Sequence, residues 1–160
     1  MIVMLLIIIH QIYIDFKKNH SEKQMLTSNL NDLDDYLQKK DNHVKGFLKI
    51  EDISLQAPIY KFDYYKNNVD YGLEIIKKEQ PIIIASHSGN SKIALFNSLI
   101  KLKENSNSII EINRITSSYI LKTKNIINKE EQVEFNSNCN LYLVTCYKQN
   151  QRLVLCYLAK

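Results

Sequence analysis

At 160 residues the chain has room for one domain with a proper core and not comfortably for two. Its hydrophobic content of 45% is ordinary for a globular protein, and the net charge of +4 is scattered through Lys- and Asn-rich sequence. Without a basic stripe interleaved with aromatics, nucleic acid is a poor candidate partner. Three cysteines, Cys139, Cys146 and Cys156, contain no CxxC, and the four histidines are dispersed, so no metal site and no cofactor is expected. The odd count leaves at least one thiol free unless it pairs between molecules.

The first segment, Met1 to Ile14 (MIVMLLIIIHQIYI), is almost wholly apolar. It is shorter than the roughly 20 residues a bilayer-spanning helix needs, and it lacks the basic start and small-residue cleavage site of a signal peptide. Its lysines, Lys17 and Lys18, follow the apolar run. We read residues 1–14 as an N-terminal membrane anchor whose beginning is missing from this sequence; a cleaved signal and a buried segment are the alternatives. Residues 15–43 come next as a stalk. Ser21 with Gln24 makes a capping box, and Leu26, Leu30, Leu33 and Leu37 follow at helical spacing, so one amphipathic helix is predicted.

From Val44 the texture changes to short strands. VKGFLKI and ISLQAPIY are strand-length apolar runs, and Ile82 to Ala85 is a buried-looking strand leading into His87. A short helix follows, capped by Asn90 or Ser91, with Leu95, Leu99 and Leu102 as its inner face. SIIEINRITSSYILKTKNII reads as two strands with a turn at Asn113 and Arg114. The chain closes with strands Leu141 to Cys146 and Arg152 to Leu158, joined by a polar connector of hairpin length. Residues 44–160 are therefore predicted to be mainly β, a barrel or sandwich of about seven or eight strands with short helices.

The closing hairpin places Cys146 and Arg152 near each other at one edge of the sheet. His87, at the end of its own strand, is the further candidate. Singly each has a plain explanation: a hydrogen-bonded loop histidine, a small buried hydrophobe, a solvated strand-end charge. Cys156, four residues beyond Arg152 and on the same side of the strand, is read as core packing, with a disulfide as the lesser alternative. His10, His20 and His43 carry no motif.

The order and flanks of these residues add to this. GFLKIEDISLQAPIY, IIIASHSGNSKIALFNSLIKLKEN, LYLVTC and RLVL, in that order, resemble the sortase family of Gram-positive cysteine transpeptidases from about Val44 to Lys160. LYLVTC is similar to the family's TLxTC, and His87, Cys146 and Arg152 each fall in register with its reacting residues. Two positions depart: Tyr142 replaces the first threonine of TLxTC, and Ser86 replaces the glycine common before the histidine.

The resemblance implies a closed sortase-like β-barrel and a membrane-anchored enzyme with its catalytic domain on the extracellular face. Such an enzyme cleaves an LPxTG-like sorting signal at the C-terminus of surface proteins. It passes the acyl group to an amine of a peptidoglycan precursor or a pilin. Cys146 would be the nucleophile, His87 the general acid–base and Arg152 the donor to an oxyanion or peptide carbonyl, with Ser88 and Thr145 binding substrate. The class of sortase does not follow from the resemblance. A catalytically weak peptide-binding domain and a hydrolytic cysteine peptidase are the alternative readings.

Overall fold

A computed structural model of the chain describes residues 43–89 and 94–160. The apolar segment 1–14, the stalk helix and the Asn90 or Ser91 cap lie outside the described residues. Eight strands make one sheet: β1 (Val44–Ile50), β2 (Leu55–Tyr60), β3 (Glu74–Lys77), β4 (Ile82–Ala85), β5 (Asn107–Ile112), β6 (Ile115–Asn128), β7 (Leu141–Tyr147) and β8 (Gln151–Ala159). Their spatial order is β2-β1-β5-β6-β8-β7-β4-β3. The sheet curls until its two edge strands approach, giving a nearly closed barrel of the expected class.

Turn chemistry sets much of this order. Asn113 and Arg114 both take positive φ, 53° and 66°, and join β5 to β6 by the two-residue turn that matches strand twist. Lys148, at φ 54°, begins the short connection from β7 to β8. Pro58 sits on β2, an edge strand, where a missing backbone N–H is tolerated. Gly46 is required on β1: a Cβ there would run into the backbone carbonyl of Glu111 on β5.

Alternation along the strands makes two apolar layers. Inside the barrel, Leu48, Ile84, Leu143, Leu155 and Tyr157 belong to a large buried core. On the outer face Ile83, Tyr142, Val154 and Cys156 form a smaller cluster with Cys139 and, at its margin, Val133. Cys139 and Val133 come from the segment 129–140 between β6 and β7, which lies over this face.

Three expectations need correction, and one strand carried no signal. The strand read as ISLQAPIY begins only at Leu55, because residues 51–53 form a 3-10 turn and Ser54 is left-handed at φ 51°. The helix after β4 is a 3-10 helix, Leu95–Lys101, that buries Phe96 and Leu99 and has no side-chain cap at Ala94. β3, four residues with two apolar positions, was not foreseen, since nothing in its length marks it. Cys156 is not mere packing: it is bonded to Cys139, with the Cα atoms 5.7 Å apart.

Candidate active site

The site is built where β4, β7 and β8 lie side by side. β4 and β7 are parallel, in a sheet whose other pairs are antiparallel, with Ala85 opposite Val144. Two residues further along each strand direction come His87 and Cys146. Across the next pair, Cys146 is the register partner of Arg152. Cys146 and Arg152 thus face each other on β7 and β8, and His87 follows two residues past the end of β4, on the segment that runs beside β7. By alternation they share the outer face, since Ser86, Thr145 and Leu153, one position away, are buried inward.

Hydrogen bonds fix this arrangement. The Ser86 N–H donates to the Val144 carbonyl at 3.3 Å, and the Thr145 hydroxyl donates to the Ser86 carbonyl at 2.7 Å. The Ser88 hydroxyl donates to the Cys146 carbonyl. Ser88 and Thr145, foreseen as substrate-binding, thus fasten the histidine segment to the cysteine strand, and both also line the hollow described below. Ser86, in place of a glycine, donates its buried hydroxyl to the Gly72 carbonyl at 2.7 Å. Tyr142, in place of a threonine, stacks edge-on against Phe135 at 5.0 Å and accepts from the Asn136 N–H at 3.3 Å. Both departures are therefore struts holding connecting segments against the sheet.

Cys146 is exposed and is the free cysteine, the other two being bonded. It lies on the wall of a hollow of about 510 Å³ between the 3-10 helix and the β7–β8 turn, with Ser88, Phe96, Asn97, Tyr147 and Lys148. Asn97 shapes that wall: its side chain accepts from the Gly89 N–H at 2.5 Å and donates to the Gly89 carbonyl at 3.0 Å. A second hollow of about 210 Å³ opens on the outer face beneath segment 129–140, lined by Ile127, Val133, Tyr142, Val154 and the disulfide. Ile127 is the register partner of Arg152, so this hollow begins beside Arg152.

Sequence reasoning missed one neighbour of His87. Asp70, on the connection from β2 to β3, places a carboxylate oxygen 2.9 Å from His87 Nε2. Asp63 lies in the same connection, and an aspartate 17 residues before the histidine carries no signal by spacing.

A family model, described as the sortase domain, matches residues 48–157. The chain belongs to the sortase family. Sortases are cysteine transpeptidases of sorting signals, and the barrel described above is theirs. Among solved structures, sortase A from Corynebacterium diphtheriae is 23% identical at TM-score 0.63, with 84% of this chain and 71% of that one covered. Sortase C of Clostridium perfringens, solved with the C-terminal cell wall sorting motif, is 20% identical at TM-score 0.62, covering 91% and 86%. Listeria monocytogenes sortase A is 14% identical at TM-score 0.59, covering 74% and 88%. Sortases named A and C match about equally, so the likeness gives the fold without choosing a class. No curated protein matches the chain.

Proposed function

We propose that this sortase cleaves an LPxTG-like sorting signal between its threonine and the following residue, and joins the acyl group to an amine of a peptidoglycan precursor or a pilin. The observation that supports this reading is the pairing of β4, β7 and β8: Cys146 and Arg152 are register partners, and the segment bearing His87 leaves β4 beside β7. A thiolate attacks where a thiol does not, and cationic neighbours favour it. Cys146 Sγ bonds to the threonine carbonyl carbon. As the C–N bond breaks, His87 gives its proton to the leaving nitrogen. Arg152, with a fixed charge and five donors, holds the oxyanion or the peptide carbonyls. The incoming amine then bonds to the thioester carbon, loses its proton to His87 and releases the Cys146 thiolate.

The hollow at Cys146 and a second one that includes Ile127, the register partner of Arg152, suit a reaction with two substrates, one peptide and one amine. The apolar segment 1–14 would hold the domain at the outer face of the membrane, where both are found.

A peptide-cleavage assay with and without triglycine tests the reading. The parent should form the triglycine adduct, and Cys146→Ala should do neither reaction while keeping its fold, since the small exposed thiol leaves no large cavity. Hydrolysis that ignores triglycine would mean a peptidase. Binding without cleavage would mean a peptide-binding domain, and substantial turnover by Cys146→Ala would remove the nucleophile assignment.

A further inference from the structure

We propose that Asp70 is a positioning residue for His87, holding Nε2–H in a hydrogen bond so that Nδ1 is the atom that exchanges protons with the reacting groups. This rests on the reading of His87 as the general acid–base.

The geometry begins with a tight turn. The Tyr71 and Gly72 N–H groups donate to the Asn68 carbonyl at 2.9 and 3.2 Å, and the Asp70 N–H donates to Asn68 Oδ1 at 3.0 Å. Asp70 stands at the tip of this turn. Two residues later, the Gly72 carbonyl accepts from the buried Ser86 hydroxyl at 2.7 Å. Ser86 is the residue immediately before His87. The turn and the histidine are thus bolted together at a buried point, and Asp70 meets the ring across a short, fixed span. Ser86 itself is held to β7 by the Thr145 hydroxyl, so the same chain of bonds reaches the strand that carries Cys146.

The atom pairing decides the tautomer. A carboxylate oxygen only accepts, so at 2.9 Å the ring must donate from Nε2. Which ring nitrogen reacts is set by the bond the other makes. Nδ1 is left to give its proton to the leaving nitrogen as the C–N bond breaks. It receives one from the incoming amine as the C–S bond breaks, and the Nε2–H bond persists throughout. The pair is open to water, with side-chain exposures of 36% for His87 and 71% for Asp70, so screening leaves it little to add to the stability of the fold. Orientation is what such a contact can supply.

The experiment uses the full chain with Asp70→Ala and Asp70→Glu, beside the parent and Cys146→Ala. Asp70→Ala should lower kcat by about tenfold to a hundredfold, by analogy with removal of the carboxylate that orients a metal-bound histidine. KM should stay within about threefold, melting temperature should not change, and Asp70→Glu should recover part of kcat. An unchanged or higher kcat, or a loss confined to KM, overturns the proposal. The second readout needs no turnover: three-bond couplings that report the His87 χ1 rotamer. One rotamer in the parent, averaged in Asp70→Ala and restored in Asp70→Glu, upholds the proposal; a single rotamer in all three overturns it. A parent that holds one rotamer yet cleaves no peptide would count against the transpeptidase reading and leave the positioning role standing.

Discussion

Arg152 and Tyr157 sit on the same strand and face opposite sides, and substitutions at the two should separate chemistry from stability. Arg152→Lys keeps the charge and loses the planar fork that matches an oxyanion or paired carbonyls. It should bind peptide nearly normally and turn over on the order of a hundredfold more slowly, the usual effect of losing one oxyanion donor, with Arg152→Ala worse. Both should melt close to the parent, and full turnover by Arg152→Lys would make the residue a generic charge. Tyr157 points inward and is fully buried, and its hydroxyl has no hydrogen-bond partner among the described residues. Burial, followed by the nearby charge of Asp52, pushes that hydroxyl well above the ordinary tyrosine value of 10.0. In alkali, then, the unfolded chain loses this proton before the folded one does. Fewer protons on the unfolded side means that stability falls as pH rises, by up to about 1.4 kcal/mol per pH unit above roughly pH 10. Tyr157→Phe removes both the orphaned hydroxyl and that slope. Urea titrations should show it equal to the parent or up to about 1 kcal/mol more stable at neutral pH, with a shallower alkaline decline. A variant that declines as steeply as the parent would show that the loss arises elsewhere.

Among the elements, the segment 129–140 depends most on a cross-link. Cys139 ties its end to Cys156 on β8, closing a loop of sequence separation 17. Such a closure contributes about 3 kcal/mol, chiefly by restricting the unfolded chain. Cys139→Ala with Cys156→Ala should therefore lower the melting temperature by on the order of 10 °C, as should reduction by a dithiol. An unchanged melting curve on reduction would mean the bond adds nothing. Parity placed Cys156 on the Arg152 side correctly, but it says nothing of what stands opposite, and Cys139 lies in a segment with no period at all. The same limit explains other differences. The last hairpin was legible because its apolar runs and polar connector fit one template. β3 has four residues and pairs only through its neighbours. The 3-10 helix was read as helix from its leucines, yet it buries Phe96 with Leu99 and leaves Leu95 half-buried, since a coil of three residues per turn turns every third side chain inward.

In the molecule as a whole, the fold class was legible from strand-length runs and their turns, and the candidate site from four motifs in order. What no pattern held was adjacency: β4 and β7, far apart in the chain, lie side by side through a parallel pairing that sequence does not announce. β8 deserves notice for a different reason. It lies between β6 and β7 and, among the described residues, is the sole strand that pairs the four strands β2-β1-β5-β6 with the three strands β7-β4-β3. A chain stopped after Asn150 should thus fail to show cooperative unfolding in urea, although every other strand is present. A sharp two-state transition in that fragment would show that the two parts can hold without the keystone.

That arrangement also sets a schedule. The strand that joins the two parts is the eighth in chain order, and it brings Arg152 with it. While the polypeptide is still being delivered from its N-terminal end, the histidine and later the cysteine emerge without a finished barrel to align them. On the proposed reading, Cys146 should remain unarmed through synthesis. It would become competent in one step as the sheet closes, so that acyl transfer cannot begin on a half-made enzyme.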